Sequence, residues 1–223
     1  MKLTWLGHGS WRIEIEKAVI LVDPALDANP SFPEDRRDEA VAGTTHILIT
    51  HGHGDHTSGV PALAKRLGVP VVGICFGHQI IAQAMGGRVV KHPEGWRVGA
   101  HDYVIDGRPM VLNAWHQDQV VDLPPGAEIA GTNEFCQAAA LVYDHRAFTV
   151  QPHPEFPDPF IAGLMEHRGG AVPPALLDEA RTRRGQAKPA ALANRIAALF
   201  KDPAAQRTAG APADAAGSVA GAA

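Results

Sequence analysis

Cysteine is scarce. The 223 residues hold two, Cys75 and Cys136, so no disulfide framework holds this fold and each thiol is read as free. Aromatic residues make up 6% of the chain, and Trp5, Trp11, Trp96 and Trp115 are too scattered for a stacking platform, so their expected place is the core. No apolar run approaches the roughly 18 residues that span a bilayer, and no apolar segment opens at Met1, which argues against a membrane span and a signal segment. Net charge is small as well: 20 Lys and Arg stand against 24 Asp and Glu, a formal balance of −4. Such a balance offers neither a nucleic-acid footprint nor a polybasic membrane patch. With free thiols, the expected setting is the cytoplasm, and the expected partners are small neutral or anionic solutes.

What remains is a chain with 45% hydrophobic residues, enough for one good core and a short appendage. Alternation at Trp11, Ile13 and Ile15, followed by the β-branched run AVILVD, predicts two or three opening strands. Residues 27–43 carry Pro30, Pro33 and many charges and read as a loop with a helical turn. HILIT (46–50), PALAKRL (61–67) and VPVVGI (69–74) then form a strand, helix, strand unit, a right-handed crossover with two parallel strands. After Cys75 a helix runs to paired glycines, which suit a left-handed cap. Strands are expected at RVV, WRVGAHDYVI, PMVLNAW, QAAALVY and FTVQ, and helices from Pro159 to about His167 and from about Pro189 to Phe200. Residues 201–223 are Ala, Gly and Pro with little else and read as a disordered tail.

Two stretches carry chemistry. In HGHGDH, His51, His53, Asp55 and His56 follow a strand end, where imidazoles and a carboxylate converge as zinc or another divalent ion requires. In GICFGHQ, Cys75 sits on a turn from strand to helix, where the helix N-terminus offers free N–H groups and a dipole that favours thiolate. Gly73 and Gly77 on either side suit close backbone approach. QPHPEF supplies a base: His153 and Glu155, two residues apart on an extended segment, point the same way, so the carboxylate can orient an imidazole that faces Cys75. The bland readings are a polar glycine-rich loop for HGHGDH and a small buried hydrophobe for each cysteine, the reading preferred for Cys136. His8, in LGHGS, is a turn residue able to approach the metal-type loop, and Arg181, Arg183 and Arg184 read as a solvated helix face.

Residues 1–72 resemble the metallo-β-lactamase superfamily, above all its small metal-dependent hydrolases, through TWLGHGSWRIEI, ILVDP and THILITHGHGDHTSG. That resemblance implies one metal on His51 and His53 and a second served by Asp55 and His56; the family's later ligand blocks are not recognisable after residue 72. From about residue 70 to 200 the chain resembles class I glutamine amidotransferases, through VVGICFGHQIIAQAMGG, WHQDQVVDLPPGAEIAGTN and FTVQPHPEF. It implies an α/β three-layer sandwich with a mixed, largely parallel sheet, here joined to an N-terminal β-rich segment of metallo-β-lactamase type. It also implies that Cys75, His153 and Glu155 release ammonia from glutamine, or from a γ-glutamyl compound, through a thioester. Phe76, by its N–H, Gly77 and Gln79 would then serve substrate and oxyanion, with His116 and Gln117 in a substrate-side block and Gly52 in the place of the family's oxyanion glycine. No cofactor is required for that reaction, and a synthetase subunit is the implied ammonia acceptor. If HILIT and VPVVGI are neighbours, His51 or His53 would also stand close enough to Cys75 for a mixed zinc site that quenches the thiol. The alternatives are a metal-dependent hydrolase using HGHGDH, and a recombined chain with neither activity that acts as a binding domain.

Overall fold

The alternation at the N-terminus becomes an antiparallel meander: β1 (Lys2–Trp5), β2 (Trp11–Ile15) and β3 (Ala18–Val22). This computed structural model describes residues 1–50, 54–143 and 147–201. Two short 3-10 turns and the helix α1 (Arg37–Val41) occupy the charged stretch read as a loop. The strand, helix, strand reading then holds: β4 (His46–Ile49), α2 (Gly54–Thr57), α3 (Val60–Leu67) and β5 (Val71–Ile74), with β4 and β5 parallel. Next come α4 (Phe76–Ala84), β6 (Arg88–Lys91), β7 (Arg97–Ile105), β8 (Arg108–His116), β9 (Asp118–Asp122), β10 (Ala127–Thr132), β11 (Ala140–Tyr143) and β12 (Ala147–Val150). The chain continues through α5 (Asp158–His167), α6 (Pro174–Thr182) and α7 (Ala190–Lys201). The tail expected beyond Lys201 lies outside the described residues.

One 10-stranded sheet runs β1-β2-β3-β4-β5-β12-β11-β10-β7-β8, while β6 and β9 pair separately. Its parallel part is the block β3-β4-β5-β12, flanked on each side by antiparallel strands. Parallel strands end on one edge, so Thr50, Cys75 and Gln151, the residues that follow β4, β5 and β12, lie along it. The strands on either side of residue 72 thus belong to one sheet.

Helices cover both faces, giving three layers. Phe148 and Val150 of β12 and Val72 of β5 pack with Leu192, Ile196 and Leu199 of α7. On the other side Leu21, Ile47 and Ile49 pack with Val41 and Val60, with Leu63 and Leu67 of α3 against them. Trp96 and Trp115 serve a core as expected, their rings 5.9 Å apart beside α5 and α6. Trp5 and Trp11 do not: they are 62% and 41% exposed. Alternation put them on one face of the meander but said nothing of what covers that face. Cys136 is fully buried, and burial pushes its thiol up to about 12, as expected of a structural cysteine. Arg183 departs from the solvated face expected of it, because α6 turns it onto Asp102 of β7 at 2.8 Å.

Candidate active site

The β-branched run of β5 ends at Ile74, and the chain reverses into α4 at Cys75, whose φ of 50° and ψ of −103° lie in a region that L-residues seldom adopt. Holding a side chain there costs on the order of 1–3 kcal/mol, and hydrogen bonds and close packing around it enforce it. The Cys75 N–H donates to the Val150 carbonyl at the end of β12 (2.8 Å), and its carbonyl accepts from Gln79 N–H in the first turn of α4 (3.1 Å). Close packing does the rest. A Cβ on Gly77 would stand 2.8 Å from the Ile49 carbonyl of β4, and one on Gly73 would stand 2.7 Å from the Gly77 carbonyl. Only glycine lets the N-terminus of α4 settle against the strand ends, and the first N–H groups of that helix, at Phe76 and Gly77, have no carbonyl a turn earlier to bind.

β12 carries the second half of the site. Three residues past Val150, the His153 N–H donates to the Asn113 carbonyl of β8 (2.8 Å), and Asn113 Nδ2 donates to the Phe156 carbonyl (2.8 Å). The His153 ring stacks on Phe156 at 3.8 Å, nearly parallel, and its Nδ1 bonds Glu155 Oε1 at 2.7 Å. The side chain of Cys75 also acts on this imidazole and, with Glu155, favours its protonated form. Burial works against charge on His153, yet its interactions with Cys75 and Glu155 outweigh it and raise the imidazole to about 9. This sets it apart. The other described histidines with a displaced titration, His46, His78, His101 and His116, are all pushed down by burial.

Behind the sulfur lies a polar layer. Gln151, fully buried, points Nε2 at Cys75 Sγ (3.5 Å) and accepts from Gln79 Nε2 (3.0 Å), which also donates to the Asp118 carbonyl (2.7 Å). Gln79 therefore supports the site from within, its amide N–H groups already engaged. Gln151 was missed in the sequence although it lies two residues before His153, because its role comes from a contact across β5 and β12. His116 is buried and driven to about 3 by burial, against a backbone contact with Asp118. The Gln117 carbonyl accepts from His92 N–H (2.8 Å), which ties the substrate-side turn to the segment after β6. Phe76 is 43% exposed at the mouth.

Of the metal-type motif, His51 and His53, like Gly52, lie outside the described residues, and so does their relation to Cys75. Asp55 and His56 are described, and they meet His8: donor atoms of the three lie within 4.8 Å of one another, and His8 Nε2 contacts Asp55 Oδ2 at 2.6 Å. His56 Nδ1 bonds Asp23 Oδ2 (3.0 Å), and the other oxygen of this buried carboxylate accepts from Thr50 N–H (2.7 Å). The turn at Gly7 and His8 is what carries the His8 ring over. Asp23, overlooked in the sequence, is the residue that fixes His56.

The family profile described as glutamine amidotransferase class-I matches residues 22–158. Among solved structures, a glutamine amidotransferase from Methylobacillus flagellatus superposes with a TM-score of 0.51 over 81% of this chain and 78% of its own, at 22% identity, a likeness of fold. Curated relatives match over a shorter stretch. A UPF0173 metal-dependent hydrolase of Paracoccus denitrificans is 68% identical over 74 residues, 33% of this chain and 32% of that protein. One from Cereibacter sphaeroides is 69% identical over the same length and the same shares. The chain thus spans about a third of the length of the curated relatives it matches. Both sequence resemblances, to the amidotransferases and to metal-dependent hydrolases, are met by these matches.

Proposed function

Since this chain belongs to the class I glutamine amidotransferase family, whose profile covers well over half of it, we propose that it hydrolyses the side-chain amide of glutamine, or of a γ-glutamyl compound, through a thioester on Cys75. The observation that carries the reading is the strained strand-to-helix turn at Cys75 beside an imidazole that Glu155 orients and that, alone among the described histidines with a displaced titration, gains rather than loses affinity for a proton. An imidazolium beside a sulfur favours thiolate, the nucleophilic form. The sulfur attacks the amide carbon, and the carbonyl oxygen takes up negative charge near the N–H groups at the head of α4. His153 gives its proton to the amide nitrogen, and ammonia leaves. A water then attacks the thioester as His153 accepts its proton, and glutamate departs with the sulfur restored. Gly52 is the expected second oxyanion donor, and a synthetase subunit is the expected user of the ammonia.

A second reading rests on His8, Asp55 and His56. Two imidazoles and a carboxylate suit a divalent ion such as zinc, and the Asp23 carboxylate holds His56 by its Nδ1, the kind of support that metal-bound histidines commonly have on their other ring nitrogen. A cation held by these residues would polarise a carbonyl or activate a water. One assay separates the readings. Ammonia release from glutamine is expected to keep its rate after exhaustive chelation; a rate that vanishes with the chelator and returns with zinc would favour the metal reading.

A further inference from the structure

The backbone carbonyl of Asp118 can only accept a hydrogen bond, and the orientation of two buried amides follows from that. Gln79 Nε2 donates to it at 2.7 Å, so the amino end of Gln79 is the end turned that way. The same nitrogen lies 3.0 Å from the side chain of Gln151, which presents its oxygen there as the acceptor. The other end of Gln151, its amino group, is then the end at Cys75 Sγ, 3.5 Å away. A peptide carbonyl that never touches the sulfur thus dictates which atom faces it.

Burial makes this arrangement count. Gln151 is fully buried and Gln79 is 4% exposed, so bulk water does not compete for either amide. The Gln151 backbone N–H donates to the Ala139 carbonyl (2.8 Å), which anchors the residue without help from its side chain. An amide N–H aimed at sulfur gains little from a neutral thiol, a weak acceptor, whereas a hydrogen bond to an ionised acceptor is roughly twice as strong as a neutral one. The donor therefore favours the thiolate. The other titratable groups that act on Cys75 are His153, with Glu155 beside it, and Tyr103 and Cys136 in the core. Burial raises the last two, Cys136 to about 12, so both stay uncharged at neutral pH.

We propose that Gln151 is a further catalytic residue, its amide N–H held against Cys75 Sγ to stabilise the attacking thiolate, and that Gln79 is the positioning residue that keeps this amide from turning over. The proposal rests on the reading of Cys75 as the nucleophile. It divides the work on the sulfur between two groups: His153 exchanges the proton, and Gln151 meets the charge that is left. It also gives Gln79 a task inside the protein in place of the substrate contact implied by the family resemblance.

Alkylation of Cys75 by iodoacetamide, followed by mass spectrometry of the full chain across pH, reads the thiolate without any turnover. Gln151→Met keeps the length of the side chain, removes the donor and alters no charge. It is expected to be alkylated about tenfold more slowly than the wild type at pH 7, with the midpoint of the pH profile moved up by about one pH unit. Gln79→Met leaves the sulfur's own contacts in place and should slow alkylation severalfold in the same direction. The double variant should be no slower than Gln151→Met, because the two residues act in series. Circular dichroism checks each fold; should Gln151→Met fail to fold, Gln79→Met decides alone. A wild-type profile in a folded single variant, or losses that add in the double variant, would overturn the proposal. Ammonia release from glutamine by the same proteins keeps the two readings apart. A wild type that releases none while the variant profiles shift would defeat the glutamine reading and uphold the support of the thiolate; ammonia release with unmoved profiles would defeat this proposal alone.

Discussion

Cys75→Ala is expected to lower ammonia release from glutamine by about 10⁴-fold or more, because removing the nucleophile of a concerted unit costs nearly all of its rate. The site leaves no substitute for the sulfur. Cys136, the other thiol, is fully buried with its titration pushed up by burial. The fold should survive, since the residue is only partly buried and its backbone bonds to Val150 and Gln79 need no side chain. Ammonia measured by a coupled assay, with circular dichroism on the same samples, decides it. A variant that is folded and still hydrolyses glutamine at the wild-type rate would show that the reaction runs elsewhere.

His153→Ala should cost about 10²–10⁴-fold in the same assay, the usual weight of a positioned general acid and base. Glu155→Gln should cost less, because Glu155 orients the ring and, 46% exposed, shares its charge with water. The direction of the pH dependence follows from the bonds. His153 is raised in the fold from an ordinary value of 6.5 to about 9, so the stability it contributes is fully present below about 6.5 and is lost as pH rises through about 9. Rate that depends on the imidazolium should decline over that same upper limb. Since burial alone would depress the ring, and Cys75 heads the contacts that raise it, Cys75→Ala should bring the His153 titration down when followed by proton NMR. An unchanged titration in that variant would mean that the sulfur and the ring do not interact.

The elbow was legible in the sequence because strand, cysteine and helix are written in three consecutive local patterns: a β-branched run, a residue between glycines, and helix formers. Gly77 in particular could be read as a point of close approach, and the carbonyl of Ile49 is what it approaches. His153 and Glu155 were legible for a similar reason, since a spacing of two on an extended segment fixes their common side. What escaped is tertiary. Gln151 matters only because β12 lies beside β5, and Asp23 only because β3 lies beside β4. Of the helix at Pro174–Thr182 only the arginine-bearing end is legible as helical, as the prolines around it mask a short helix start with Pro at its first position. The strand at Ala127–Thr132 is interrupted by a bulge before Gly131, which blurs its alternation. His8 was seen as a turn residue, and it is one, at φ 49°; the turn is also what delivers its ring to Asp55.

The most direct test of the central claim is intact-mass and peptide mapping after exposure to a glutamine analogue that carries a diazoketone in place of the side-chain amide. The account predicts one adduct, on Cys75, formed quickly by the wild type, slowly by His153→Ala and not at all by Cys75→Ala. A wild-type protein that stays unlabelled, or an adduct that forms equally fast without the imidazole of residue 153, would contradict it.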